Sequence, residues 1–541
     1  MVATFVRPII LICFFTAYFA RVALAAPASE RAKAVRLALQ NEPTQLNSTR
    51  ALDAQSFFIL GHIFEGLTRN GPKLGEIVPG IAESWEINDK GATFHLRKNA
   101  FWSDGRPVRA ADFVFGWRLV VDPKNASEYA FIMNPIKNAR AIQQGALPVS
   151  ALGVYSPDDS TLSVVFEKPC GYFIQLMAFG SFYPVRADFY LSHSSNYGTA
   201  AAALLSDGPF VLTDWVHGKS LKLEKNQRYW NASNIKISAI DIPYITPDSS
   251  TVFNLYKAKK IDMIERLGHA DMDRAVKAHL PLHTFKDGSV WFLEFNFRKS
   301  RPTTNLNLRY AIRAAVSLVH QVFLSKVVKT SPISETDTLV PDWISGAKQT
   351  FRAEHPYHRP LYTLDDAKHF IDAAKKELGG KIPPLLLLTE DTSSATREAE
   401  YFEKLMKDDL GVDLQVQQQS RQSLLARMEM GEFDIISTGW SPDYDDPMTF
   451  VDLMASWNAN NRGHYSNTEV DRLIATAQGT TDANKRMDAM AAAEKIILDE
   501  AVVIPIFNRF VTYVVNEKKI KGVVRRPIGA DPDFTRAEWV K

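Results

Sequence analysis

Residues 385–416 read LLLLTEDTSSATREAEYFEKLMKDDLGVDLQV, and the order of apolar patterns in this stretch decides the fold class. Leu385 to Leu388 is an unbroken apolar run, as expected of a buried strand. Ala395 to Leu410 carries apolar residues at helical spacing, and Val412 to Val416 is a second strand. Strand, helix, strand is the unit of a parallel sheet, because parallel neighbours need a connection long enough to cross back over the sheet. The pattern extends through helix Leu424 to Met430, strand Asp434 to Ser437, and helices Glu469 to Gln478 and Asp482 to Asp499. Upstream, Thr363-Leu364-Asp365-Asp366 starts a helix and Gly379-Gly380 stops it.

A chain of 541 residues exceeds one compact core, so two or more lobes are expected. Ala34 to Leu39 reads as a strand feeding helix Gln55 to Leu67. Residues 68–175 form an α+β unit with strand Ala92 to Leu96, a turn at Ser103-Asp104-Gly105, helix Ala110 to Val120 and strand Ser160 to Phe166. Strands Pro209 to Trp215 and Lys219 to Lys225 precede helix Ser249 to Lys259. Helix Asn307 to Val328 carries one apolar stripe, Leu308, Ala311, Ile312, Ala315, Leu318 and Val319. Ser331 to Tyr362 is irregular and punctuated by prolines. Val503 to Val515 is β-prone and suited to return to the first lobe.

The first residues form a separate device. Arg7 precedes the apolar stretch Ile9 to Ala20, and Ala23-Leu24-Ala25 is a small-x-small cleavage pattern, so residues 1–25 are expected to be a signal peptide. Their removal takes away Arg7 and Arg21 and no acid, bringing a formal charge of +2 to zero, which gives no electrostatic reason to bind nucleic acid. It also leaves Cys170 as the sole cysteine, excluding an intramolecular disulfide and any multi-cysteine metal site. Neither a G-x-S-x-G elbow nor an H-E-x-x-H pair is present, and Gly218-Lys219-Ser220 lacks the leading glycine of a phosphate loop. No enzyme, metal or cofactor is expected, although a dispersed hydrolytic triad would leave no local motif.

Several motifs carry a resemblance: Ile63 to Leu67 (IFEGL), Val78 to Trp85 (VPGIAESW), Phe101 to Val108 (FWSDGRPV), Ala111 to Val114 (ADFV), Gly208-Pro209-Phe210, Asn226 to Trp230 (NQRYW) and Gly439 to Pro447 (GWSPDYDDP). In this number and order the chain resembles the peptide and nickel class of bacterial solute-binding proteins, extracellular family 5. The resemblance implies an α/β, two-lobed periplasmic-binding-protein clamshell with an additional inserted α+β domain. Carried onto this chain, residues 26–67, 177–300 and 511–541 are domain I, 68–176 domain II and 301–510 domain III. It further implies a monomer in the periplasm that captures short peptides for an inner-membrane ABC permease with cytoplasmic ATPases. The alternatives within the same fold are a nickel chelate, an opine, a sugar or haem.

The resemblance places Gly439, Trp440 and Ser441 against the ligand main chain and gives Asp443 the peptide's ammonium. Read locally, the same residues are a turn after a strand, with Asp443 capping amides and Trp440 in the core. Where oligopeptide receptors of the family place basic residues upstream of the Trp, this chain has Met428 and Ser437. His355, His358 and Arg359 in the long loop are the other cations considered for a ligand carboxylate.

Overall fold

The computed structural model describes residues 34–73, 75–268, 271–327 and 334–540. The expected signal peptide, residues 1–25, lies outside them. Strand β1 (Ala34–Leu39) leads to a helix at Ala54–Ile63, whose first turn is capped by Asp53 accepting from the Ser56 amide at 2.9 Å. After the short pair β2 (Thr68–Asn70) and β3 (Ile77–Pro79) comes an antiparallel sheet of β4 (Ala82–Asn88), β5 (Gly91–Leu96), β6 (Val154–Asp158) and β7 (Thr161–Val165), in the order β4-β5-β7-β6. Ala92, Phe94 and Leu96 of β5 are buried and alternate with less buried neighbours, so one face packs inward. Trp102, from the FWSDGRPV motif, is fully buried and donates its indole N–H to Asp112 of the ADFV motif at 3.0 Å. These motifs are thus anchors of the inserted unit.

The chain returns as β8 (Phe210–Val216), β9 (Ser220–Lys225) and β10 (Ala239–Ile245), which join β1 in the order β1-β10-β9-β8, with β1 parallel to β10. The second large sheet is built from β11 (Met263–Ile264), β12 (Leu282–Phe295), β13 (Ser334–Glu335), β14 (Leu385–Glu390), β15 (Leu414–Gln419), β16 (Ile435–Trp440) and β17 (Val503–Val515). Its order is β11-β17-β12-β16-β14-β15, with β13 on β17, and β14 is parallel to both neighbours. Leu308, Ala311, Ile312 and Ala315 of helix Leu306–Val327 pack in one core cluster with Leu385, Leu387, Leu414 and Ile435. A capping box joins Thr363 and Asp366 at the start of helix Leu364–Glu377. A last pair, β18 (Ile520–Lys521) and β19 (Glu538–Trp539), closes the chain. The architecture is a two-lobed α/β clamshell with mixed sheets.

Two strands run through both halves of that second sheet. The first part of β12, Leu282 to Lys286, pairs with Val514 to Phe510 of β17 beside β11. The later part, Val290 to Phe295, lies between β17 and β16. Between them the register shifts at a bulge, Asp287-Gly288-Ser289, where Gly288 has φ +80. The sequence alone assigns no element to this stretch; its strand character comes with the long-range ladder to β17.

Two of the motifs meet in one buried polar cluster. Glu65 accepts from the Tyr229 hydroxyl at 2.6 Å, from Arg69 at 3.0 Å and from the Trp230 indole, and its amide donates to Asp207. Removing the carboxylate strands a mostly buried guanidinium and two further donors. Glu65→Ala is expected to lower unfolding free energy by about 3–5 kcal/mol in urea titration; a loss below about 1 kcal/mol would contradict this account of the cluster.

Candidate functional site

Strand β16 is supported unequally on its two edges. Along β12 it is paired from Ile435 to Trp440, but β14 pairs with it only at Ile435 and Ile436. From Ser437 onward one edge has no strand partner, leaving main-chain donors and acceptors that an extended ligand can use. Gly439 lies against Trp291 so closely that a Cβ there would sit 2.3 Å from the indole ring. Trp440 is partly buried, and its indole N–H lies 3.4 Å from Thr449 Oγ1. Ser441 is exposed. The strand continues three residues past Ser437, so Gly439 and Trp440 belong to it and the turn begins at Ser441.

The loop after β16 is fixed by contacts to other parts of the chain. Tyr444 stacks on Tyr172 of the inserted unit with centroids 5.2 Å apart and planes 6° apart. Asp445 accepts from the Ser345 amide and hydroxyl at 3.0 and 2.7 Å. Asp446 forms a buried two-point pair with Arg486, whose guanidinium also lies 4.8 Å over the Tyr172 ring. Cys170, next to this cluster, is buried, and burial pushes its thiol up to about 12.

Asp443, like Asp445 and unlike Asp446, has no cationic partner among the described residues. It is half-buried, its amide donates to Thr449 Oγ1 at 3.1 Å, and its carboxylate accepts from the Tyr129 hydroxyl at 3.1 Å. No lysine or arginine among the described residues forms an ion pair with it. Burial raises its pKa to about 7, against the opposing effect of the Tyr129 hydrogen bond. Tyr129 is itself held well above its usual range by burial and by the Asp443 charge, so it stays a donor. A desolvated carboxylate with one neutral donor is a receptor for a cation.

The four residues expected at the site, Gly439, Trp440, Ser441 and Asp443, therefore lie together on the free edge and its following turn. Tyr129, Thr449 and Ser289 were not legible as partners, since nothing local marks a contact spanning 314 residues such as Tyr129 to Asp443. Met428 is buried among Leu388, Leu424, Phe433 and Ile436, and Ser437 is also buried. Among the other cations considered, Arg359 pairs with Glu335 and Asp337, and His355 lies 3.8 Å from Asp488. No cluster of three or more His, Cys, Asp or Glu placed to hold a metal occurs among the described residues.

Two contacts join residues 128–140 to residues 457–462 around this site. Glu128 pairs with Arg462 at 2.9 Å, and Arg140 lies 4.8 Å over the Trp457 ring. The sequence profile described as "Bacterial extracellular solute-binding proteins, family 5 Middle" matches residues 76–462. The dipeptide-binding protein DppE of Bacillus subtilis (strain 168) is 28% identical over 91% of this chain and 89% of its own length. The peptide-bound OppA of Listeria monocytogenes superposes with a TM-score of 0.85 at 29% identity, covering 94% of this chain and 99% of that one. The murein tripeptide-binding protein MppA of Escherichia coli gives 0.83 at 27% identity, covering 94% and 98%. An unliganded open form of MppA, with the same coverage and identity, gives only 0.68. The lobes of this chain thus stand nearer the peptide-bound arrangement than the open one.

The state of Asp443 has a cost that depends on pH. Its pKa is raised from 3.8 to about 7 in the folded protein, so the neutral form is favoured by folding, and stability falls as pH rises from the unfolded value through about 7. The ligand-free Asp443→Asn protein is expected to be more stable than the unsubstituted protein at pH 8, by about 1–3 kcal/mol, with the advantage vanishing towards pH 4. Urea midpoints at the two pH values measure this; an equal difference at both would show that ionisation of Asp443 is not the cause.

Proposed function

The chain belongs to the bacterial extracellular solute-binding proteins of family 5, and we propose that it captures short peptides by their free amino end. The family provides substrate-binding components of ABC importers and is one of binding proteins rather than enzymes. Its relatives are periplasmic or extracellular. In the reading proposed here, residues 1–25 direct the chain to the periplasm, where it works as a monomer and delivers its ligand to an inner-membrane permease driven by cytoplasmic ATPases. Domain I is assigned to 26–67, 177–300 and 511–541, domain II to 68–176 and domain III to 301–510.

The observation that carries the peptide reading is the half-buried Asp443 carboxylate, without a cation, at the end of an unpaired strand edge. A peptide offers both complements at once. Its backbone adds to the free edge at Gly439, Trp440 and Ser441, and its ammonium pairs with Asp443. Main-chain pairing does not read side chains, so such a site accepts varied sequences. A neutral sugar supplies donors but no cation, and leaves the carboxylate uncompensated. The relatives support the class, since the Listeria protein is bound to peptide and DppE is a dipeptide-binding protein.

Truncating one member of a desolvated ion pair typically costs about 2–5 kcal/mol, so Asp443→Ala should weaken peptide binding by roughly 30-fold to several-thousand-fold. N-acetylating the peptide removes the other member. Acetylation is expected to cost the unsubstituted protein a similar factor and the Asp443→Ala protein much less. Calorimetry on this two-by-two set gives the coupling directly, and equal acetylation costs in both proteins would end the assignment of Asp443 to the amine.

A further inference from the structure

The bulge in β12 touches the ligand loop, and the contact is specific. Ser289 is buried, and its Oγ lies 2.7 Å from Ser441 Oγ across the strand end, next to the pair Val290 and Trp440. Arg509 of β17 donates to Ser289 Oγ at 3.1 Å and to Asp287 at 2.6 Å. A guanidinium only donates, so Ser289 accepts from Arg509 and keeps its hydroxyl hydrogen for Ser441. Asp287 also accepts from the Ser289 amide at 3.1 Å and faces Arg266 at 3.6 Å. Arg266 follows β11, on the side of the bulge away from β16.

Gly288 brings a second contact to the same point. With φ +80 it adopts a conformation open mainly to glycine. A Cβ there would lie 2.5 Å from Pro527, 2.7 Å from Trp343 and 3.1 Å from Pro442. The bulge is thus wedged between the C-terminal segment, the long loop and the proline between Ser441 and Asp443. Ser441 is held by a hydrogen bond and Pro442 by packing, so the direction in which Asp443 leaves the strand is set by the bulge.

We propose that Ser289 is a positioning residue for ligand capture: through Ser441 it fixes the turn that aims Asp443, and through Arg509 and Asp287 it ties that turn to strands β12 and β17. This rests on the reading of Asp443 as the ammonium partner. Arg266 reaches Asp287 from the side of the bulge away from β16, so the bulge is held from both directions.

The test uses the full chain with tri-alanine and N-acetyl-tri-alanine as probes, and Ser289→Ala, Ser441→Ala and the double variant. Ser289→Ala is expected to weaken tri-alanine binding roughly tenfold, the scale of one lost buried hydrogen bond. It should also shrink the penalty for N-acetylation, which general loss of packing would leave unchanged. The double variant should bind no more weakly than Ser289→Ala alone. Unchanged affinity in Ser289→Ala, or an equal loss for both probes, overturns the proposal. If the unsubstituted protein binds neither probe, the peptide reading fails by itself, and amide hydrogen exchange of residues 439–445 without ligand decides the positioning claim. Faster exchange there in Ser289→Ala upholds it, and unchanged exchange refutes it.

Discussion

Asp443 keeps one hydroxyl donor and no cation while sitting largely out of water, and the ligand chemistry, the turn and the lobe contacts all bear on that one carboxylate. An isolated ionised carboxylate is unfavourable in such a place unless a positive group meets it. The neighbouring Asp446 shows the other solution, a permanent internal partner in Arg486. The two acids stand three residues apart in one loop. One is satisfied within the fold, and the proposed function gives the other a partner from outside it.

On the proposed reading, the surroundings of Asp443 make the site selective. The unpaired edge of β16 runs up to Asp443, so a ligand that satisfies the carboxylate also meets main-chain groups spaced for an extended chain. Tyr129 reaches Asp443 from the inserted unit, and Glu128 beside it pairs with Arg462 of the far lobe. On the proposed reading, the ammonium site and the contact between Glu128 and Arg462 are joined through adjacent residues. Strands β12 and β17 pair along both halves of the sheet, with the bulge of β12 between them.

Much of this was legible in the sequence where the signal was local or repeated. The parallel strands read at Leu385 to Leu388, Val412 to Val416 and Asp434 to Ser437, the helix cap at Thr363 and the β-prone stretch Val503 to Val515 follow from periodicity and capping chemistry, and each has its element in the structure, with the third strand extending on to Trp440. The site stretch was read from its resemblance to a family, since local chemistry alone equally describes a turn. Strand β12 was not assigned from sequence, and its strand character comes from a partner more than two hundred residues away. For the same reason Tyr129 and Ser289 could not be placed beside Asp443 and Ser441. The absence of basic side chains at Met428 and Ser437 was visible, but only the structure shows that both positions are buried.

Proton linkage of peptide binding is the most direct test of the claim that a desolvated Asp443 takes an ammonium. Calorimetry of one unblocked peptide in buffers of different ionisation enthalpy counts the protons exchanged. With Asp443 near 7 in the free protein, binding at pH 6 should release close to one proton as the carboxyl ionises against the ammonium. Above pH about 8 the sign should reverse, because the peptide's α-amine, with a pKa of about 7.7–8.0, must then be protonated to bind. A binding enthalpy independent of buffer at pH 6, or proton release that persists in Asp443→Asn, would contradict the account.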